Sequence, residues 1–195
     1  MEIYLTSIKD IELDKAYDLS AERAEKTAKL KMSDDKKRCI AGGLLISRFV
    51  KGNIFKNEYG KPMSDSGVEF NLSHSGKYVL LATSDCSVGC DIEKVKYVNT
   101  DKIGRFAFCE NEMKKIAESK DKQKTFFELW TKKESLLKCI GEGFHRSAKS
   151  VDVSGDIYTE NNKKYYFKTW YFSDYIMSVC SENNDYPSSP EYAQF

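Results

Sequence analysis

The 195-residue sequence contains no apolar run near the roughly 20 residues that a membrane span requires. Residues 1–4 also lack the basic and apolar stretches of a signal peptide, so we expect a cytoplasmic protein with no membrane partner. Lys and Arg total 31 against 30 Asp and Glu, a net charge of +1. This balance lacks the basic excess of nucleic-acid binders, so no nucleic-acid partner is expected, and any bound anion must meet a local cluster.

Ligands for a soft metal are also scarce. The six cysteines include no C-x-x-C pair, and the only two histidines, His74 and His145, are far apart in the sequence. A zinc cluster is therefore not expected, and the cysteines are interpreted as reduced structural thiols. His145 is assigned no role.

Length and composition favour one compact domain or two small, tightly joined halves, since a typical domain has about 150 residues. Apolar residues make up 41% of the chain and aromatics 13%, which is enough for a hydrophobic core. The polar stretch 94–101 is the predicted joint, giving halves 1–97 and 98–195. The polar tail from Ser181 onward is predicted to be loose, and a monomer is expected.

Hydrophobic periodicity predicts a similar order of helix and strands in each half. The first half has predicted helices capped by Ser20 and Ser33, and the strands at 78–84 and 87–93 are interpreted as a hairpin. The predicted elements are a strand at 3–8, helices at 20–30 and 33–50, strands at 68–72, 78–84 and 87–93, a helix at 121–140, a glycine turn at 141–143, and strands at 150–153, 165–171 and 175–180. The corresponding strands of the two halves start a nearly constant number of residues apart, which indicates two similar α+β units.

Asp91 and Glu93 lie in the stretch Gly89-Cys90-Asp91-Ile92-Glu93. Side chains alternate along a strand, so both carboxylates are predicted to point to one face. Two adjacent carboxylates repel each other unless a cation lies between them, and hard oxygen ligands of this kind suit Mg²⁺. The alternative is an amphipathic edge strand with a solvated acidic face, and these residues alone leave it open.

Glu134 and Lys138 are four residues apart on the predicted helix 121–140, at the margin of its apolar face. This spacing suits a general base beside a phosphate-binding cation, but it is also the spacing of an ordinary surface ion pair. Lys133 falls inside the apolar arc, so it either extends past the core or meets a buried partner.

Ser73 and His74 end a predicted strand in the stretch Asn71-Leu72-Ser73-His74-Ser75-Gly76. Backbone amides, hydroxyls and an imidazole at such a place can bind phosphate, although a simple Ser/Gly turn is the alternative. A loop containing Tyr59, Gly60, Lys61 and Pro62 precedes this strand.

The order Tyr-Gly-Lys-Pro, Asn-Leu-Ser-His-Ser, Gly-x-Asp-Ile-Glu and Trp-x-x-Lys-Glu-Ser-x-x-Lys resembles the 4′-phosphopantetheinyl transferases of the surfactin-synthetase-activating type, over residues 33–144. The resemblance implies an α+β fold of two halves, related by a pseudo-twofold axis, each with a small, mostly antiparallel sheet packed on a long helix. The active site would lie between the halves. It also implies Mg²⁺-dependent transfer of the phosphopantetheine arm of coenzyme A to a serine of an acyl or peptidyl carrier protein, releasing 3′,5′-ADP.

Carried over by position, the resemblance implies three groups of site residues. Asp91 and Glu93 would bind the metal, with Glu134 as a third ligand or as the base. Lys138 would contact the pyrophosphate. The predicted coenzyme A contacts are Tyr59, Gly60, Lys61, Pro62, Ser73 and His74. The sequence departs from the family at Cys90, Cys109 and Glu142, where an aliphatic residue, a serine and a basic residue are common.

The family's carrier proteins are acidic around the modified serine, so docking requires local positive charge. We expect it on Lys102, Lys114, Lys115, Lys120, Lys122 and Lys124, flanking Phe106 and Phe108. A helix whose lysines are offset by nearby glutamates is the alternative. Two other functions stay open at this point: a non-catalytic module that binds coenzyme A or a carrier protein, and a Mg²⁺-dependent phosphohydrolase.

Overall fold

The computed structural model describes residues 1–141 and 146–195, which form a mixed α+β fold. The helices are α1 (Ala21–Lys29), α2 (Ser33–Phe49), α3 (Thr100–Ala107), α4 (Glu110–Glu118) and α5 (Lys122–Ile140), with 3₁₀ turns at Ile8–Asp10, Leu13–Asp18 and Ala148–Ser150. The strands are β1 (Glu2–Ser7), β2 (Ile54–Lys56), β3 (Pro62–Ser64), β4 (Glu69–Ser75), β5 (Tyr78–Ser84), β6 (Val88–Lys94), β7 (Ile157–Glu160), β8 (Lys163–Phe172), β9 (Tyr175–Ser181) and β10 (Glu191–Tyr192). None of the helices described here is long and apolar enough to cross a membrane.

Two four-stranded sheets pack face to face between the long helices α2 and α5. Ile3, Leu80 and Ala82 of the first sheet share a buried cluster with Val88 and Cys90 of the second. The outer face of the first sheet packs on α2, and the outer face of the second packs on α5. Because strand side chains alternate, β6 directs Val88, Cys90 and Ile92 to the other sheet and leaves Asp91 on the α5 face.

The first sheet has the order β10-β1-β5-β4 and the second β6-β9-β8-β7, while β2 and β3 form a separate hairpin. The predicted hairpin of β5 with β6 is therefore wrong. β5 pairs with β4 and β1, and β6 pairs antiparallel with β9. The physical reason is that the apolar face of β6 covers the face of the first sheet instead of extending its edge. Each sheet with its helix is consistent with the expected pseudo-twofold, and the joint near residue 97 stays a prediction.

Three local predictions need correction. Ser33 lies inside α2, and Met32 occupies the cap position. Residues 150–153 are not a strand, because a 3₁₀ turn ends at Ser150 and an irregular segment follows. The tail is not loose, since β10 pairs parallel with β1 and Ala193 is buried. Of the predicted glycine turn, Gly141 is a left-handed cap of α5 with φ 79°, whereas Glu142 and Gly143, like His145, lie outside the described residues.

Candidate active site

The close contact of β6 with α5 brings the motif of Asp91 and Glu93 next to the motif of Glu134 and Lys138. A Cβ atom on Gly89 would lie 2.1 Å from the carbonyl oxygen of Ser135 and 2.4 Å from the amide nitrogen of Cys139. Both are backbone atoms of α5, so only glycine permits this approach. Asp91 is two residues after Gly89 and lies on the same face of β6, so it faces Lys138 on the last turn of α5.

Asp91 is almost completely buried, with 4% of its surface exposed. Its Oδ1 atom accepts hydrogen bonds from Lys138 Nζ at 2.6 Å and from the Ser73 hydroxyl at 2.7 Å. Its Oδ2 atom is buried and has no hydrogen-bond partner among the described residues. Burial alone would lower the pKa of Lys138, but the Asp91 carboxylate raises it above the usual 10.5, so the ammonium stays charged.

Glu93 and Glu134 are half-buried beside this pair. The Glu93 carboxylate accepts a hydrogen bond from the Ser75 hydroxyl at 2.7 Å. Burial raises the pKa of Glu134 above 4.5; the nearby Lys138 opposes this shift, and the charges of Asp91 and Glu93 add to it. Burial also raises the pKa of Glu93, which Ser75 opposes and the charge of Asp91 supports. A carboxyl with a raised pKa is better suited to accepting a proton near neutral pH.

His74 follows Ser73 on β4, and its side chain is exposed. Desolvation by the surrounding protein lowers its pKa below 6.5, and the positive charges of Arg38, Lys138 and Lys26 act in the same direction. Arg38 is held by the Gly76 carbonyl at 2.7 Å. Such a concentration of positive charge around an imidazole is suited to binding phosphate.

The predicted loop reaches the same region through Lys61. Its Nζ atom lies 3.4 Å from Glu69 and 3.5 Å from the carbonyl oxygen of Cys139 at the end of α5. The Asn57 side chain organises the loop by accepting hydrogen bonds from the backbone amides of Tyr59 and Lys61. Gly60 has a left-handed φ of 81°, Tyr59 is exposed, and Pro62 begins β3. Lys61 is therefore tied to the C-terminal end of α5, next to Lys138, while none of the hydrogen bonds described here joins Tyr59, Gly60 or Pro62 to Asp91, Glu93 or Glu134.

The three predicted metal-binding carboxylates do not converge tightly. Among the described residues, the one group of potential ligand atoms that all lie within 4.8 Å of each other is Cys109, Glu112 and Asp152. Glu112 already pairs with Lys133 at 2.7 Å and is fully buried, so this group is structural. It also shows which alternative holds for Lys133, namely that it meets a buried partner.

The predicted docking segment extends over α3, α4 and the start of α5. All six of its lysines are exposed, and Phe106 is 81% exposed. Phe108 is 1% exposed and packs against Phe126 and Trp130, so of the two flanked phenylalanines only Phe106 is available to a partner. The neighbouring groove on α3 has a volume of about 560 Å³ and is lined by Asn99, Lys102, Ile103, Phe106, Ala107, Trp130 and Ala148.

Sequence reasoning missed residues that support the site from one shell further out. Ser75 and Asn71 of β4 hydrogen-bond to β6, and Arg38 of α2 adds charge near His74. A signal was present for the first two, because Asn71, Ser73 and Ser75 alternate along one strand and must share a face. The position of Arg38 depends on tertiary packing, which local sequence does not define.

The chain is similar to several known proteins. Residues 87–180 match the model of the 4′-phosphopantetheinyl transferase superfamily. The chain is 35% identical over 165 residues to the 4′-phosphopantetheinyl transferase gsp of Aneurinibacillus migulanus, covering 75% of this chain and 69% of that one. It is 30% identical over 189 residues to the 4′-phosphopantetheinyl transferase Sfp of Bacillus subtilis, covering 87% and 84%.

Among solved structures, the holo-[acyl-carrier-protein] synthase of Thermotoga maritima aligns with a TM-score of 0.40 and 16% identity, over 49% of this chain and 62% of that one. That alignment is too distant to define the site. The sequence relatives cover most of both chains and include β6 and α5, the elements that carry the acidic motifs. The chain therefore belongs to the 4′-phosphopantetheinyl transferase family.

Proposed function

We propose that this enzyme transfers the 4′-phosphopantetheine arm of coenzyme A to a serine of an apo acyl or peptidyl carrier protein, in a Mg²⁺-dependent reaction that releases 3′,5′-ADP. The main support is the environment of Asp91: a buried carboxylate with one oxygen bound by Lys138 and Ser73 and the other without a partner among the described residues. An unpartnered buried carboxylate oxygen is costly, and a ligand in the site would relieve that cost.

The donor set fits a magnesium ion. Asp91, Glu93 and Glu134 offer carboxylate oxygens, which are the protein ligands that Mg²⁺ prefers, and the Asp91 Oδ2 atom has no competing bond among the described residues. Asp91 and Glu93 would hold the ion, with Glu134 as a third ligand or as the base. When bound, the ion would supply positive charge that stabilises the negative charge developing on the phosphate of the 3′,5′-ADP leaving group.

The chain's own residues divide the remaining work. The carrier's serine oxygen forms a bond to the phosphorus that carries pantetheine, and the bond from this phosphorus to the pyrophosphate bridging oxygen breaks. In the role of base, Glu134 would accept the serine proton, which its raised pKa favours. Lys138 stabilises charge on the pyrophosphate, while Lys61, Ser73 and His74 contact the coenzyme A phosphates. Tyr59, Gly60 and Pro62 flank the nucleotide.

We propose further that the carrier protein docks on the α3 groove, within the segment Lys102 to Lys124. The groove combines exposed apolar side chains, Ile103 and Phe106, with the positive charge of Lys102. Such a combination is complementary to an acidic helical surface. Trp130 lines the groove and lies four residues, or about 6 Å along the helix axis, from Glu134. The docked serine would therefore be near the base.

Mass spectrometry of an apo carrier protein tests the transfer directly. The carrier is incubated with enzyme, coenzyme A and Mg²⁺, and the expected result is the mass increase of one phosphopantetheine group together with release of 3′,5′-ADP. Asp91→Asn is the matched control and should abolish most labelling. Release of inorganic phosphate or phosphopantetheine without labelling would indicate a phosphohydrolase, and binding without turnover would indicate a non-catalytic module.

A further inference from the structure

Strands β4 and β6 run side by side where the two sheets meet, although they belong to different sheets. Side chains of β4, not backbone carbonyls, accept the β6 amides along this seam. The acceptors are spaced two residues apart, and each is 19 residues before its donor. The bonds are Cys90 N–H to Asn71 Oδ1 at 3.0 Å, Ile92 N–H to Ser73 Oγ at 3.4 Å and Lys94 N–H to Ser75 Oγ at 3.1 Å.

Each serine hydroxyl in the seam also donates its one proton to a carboxylate. Ser73 donates to Asp91 Oδ1 and Ser75 donates to Glu93 Oε2, both at 2.7 Å. A hydroxyl has a single donor, so in the ligand-free protein each of these protons is used by its carboxylate. The same hydroxyl is therefore fixed by a β6 amide and in turn holds one oxygen of the neighbouring acidic side chain.

We propose that Ser73 and Ser75 are positioning residues, which fix the carboxylates of Asp91 and Glu93 so that both can bind one Mg²⁺ ion. This inference rests on the proposed function, because it requires those carboxylates to be metal ligands. A free glutamate samples many rotamers, and holding one oxygen leaves the other oriented for the ion before it arrives. Hydrogen bonds to metal-ligating groups commonly have this role.

Ser75 is the better residue for a test. Ser73 also lies 3.4 Å from Lys138 Nζ and is a proposed coenzyme A contact, so its substitution would affect several interactions. The Ser75 hydroxyl bonds Glu93 and the Lys94 amide. Asn71 provides a matched control, since its side chain accepts a hydrogen bond from the Cys90 amide in the same seam, and among the described residues it has no hydrogen bond to Asp91 or Glu93.

The experiment measures Mn²⁺ binding to the ligand-free protein by the loss of the free-ion electron paramagnetic resonance signal. Ser75→Ala should weaken binding about 10- to 100-fold, the usual effect of losing a partner of a metal ligand. Ser75→Thr retains a hydroxyl and should bind nearly as tightly as wild type. Asn71→Ala should also bind Mn²⁺ normally, and melting temperatures of all variants separate binding from folding.

The possible results separate failure of the positioning role from failure of the metal site. If Glu93→Ala loses Mn²⁺ binding and Ser75→Ala does not, the positioning role is wrong and the proposed metal site stands. If wild type does not bind Mn²⁺, or Glu93→Ala binds as wild type does, the metal site fails and the positioning role falls with it. Equal losses in Ser75→Ala and Asn71→Ala would also overturn the proposal, because the seam would then act only through general stability.

Discussion

Lys133 of α5 and Glu112 of α4 form a fully buried ion pair, with Nζ and Oε2 2.7 Å apart and both side chains at most 1% exposed. Lys133 also donates to the carbonyl oxygens of Ala148 and Val151. Glu112 accepts the amides of Cys109 and Val153. The pair therefore connects α4, α5 and the segment that follows α5, and every donor of the ammonium is used.

Glu112→Gln should destabilise the protein strongly, because it leaves a buried ammonium without a compensating charge. Removing one partner of such a pair typically costs about 3 to 5 kcal/mol of the free energy of unfolding. Glu118→Gln is the matched control on the same helix, where the exposed pair with Lys114 at 3.9 Å should contribute less than about 1 kcal/mol. Urea denaturation measures both, and equal effects would contradict the prediction.

Much of the site was predictable because it depends on local periodicity. Alternation along β6 assigns Asp91 and Glu93 to one face, and helical spacing assigns Glu134 and Lys138 to one side of α5. The pairing partners were not predictable in the same way. Val88 pairs with Ser181, and helices α3 to α5 lie between these two residues in the sequence. No local feature of the sequence specifies such a distant pairing. The proposed β5–β6 hairpin failed for that reason.

Gly89→Ala tests whether contact between β6 and α5 sets the site. Its Cβ would overlap backbone atoms of α5, so the helix must move away and Lys138 would separate from Asp91. Overpacking of this kind costs about 1 to 3 kcal/mol or more of the free energy of unfolding. We expect transfer activity to be largely lost even at temperatures where the variant stays folded. The control is Gly155→Ala, whose Cβ would lie 3.8 Å from its nearest neighbour. Similar melting temperatures and rates for the two variants would show that the contact is not required.

His74 should titrate below its ordinary pKa of about 6.5 in the free enzyme, because burial and nearby cations disfavour its protonated form. Coenzyme A phosphates would offset those cations, so the pKa should rise on binding, with uptake of a proton. NMR titration of the imidazole with and without coenzyme A measures the shift, and His74→Gln assigns the signal. An unchanged pKa would indicate that no phosphate lies near His74.

The same shift predicts the direction of a stability change. Since the folded-state pKa is lowered, the unfolded chain binds the proton first as the pH falls. The contribution of neutral His74 is therefore complete above about pH 6.5 and is lost as the pH falls through the folded-state value. His74→Gln should lose less stability than wild type over that interval.

Glu134→Gln distinguishes a base from a metal ligand. The substitution keeps the shape of the side chain and removes its charge, so turnover should fall at least about 10²-fold in either role. If Glu134 is the base, Mn²⁺ binding should stay near the wild-type value; if it is a ligand, binding should weaken together with turnover. Unchanged turnover would mean that Glu134 is neither the base nor a metal ligand.

Phe106→Ser tests the docking surface. Phe106 is 81% exposed in the α3 groove, so its loss should leave folding intact and raise the KM for the carrier protein, with the KM for coenzyme A unchanged. Tyr17→Ser is the matched control, since Tyr17 is 92% exposed and does not line the groove. If both KM values change, Phe106 does not act specifically on carrier binding.

The charged part of the docking surface should respond to salt. Transfer efficiency should fall as the ionic strength rises to physiological values, where the Debye length is about 8 Å and exposed charges are screened. Lys102→Glu, on the groove itself, should raise the KM for the carrier and flatten this dependence, because the attraction it supplied is gone. Reversal of Lys114 and Lys115 should have a smaller effect, since Lys114 pairs with Glu118 and Lys115 binds the Ser154 carbonyl. If reversal of Lys114 and Lys115 has the larger effect, the carrier docks on α4 and not on α3.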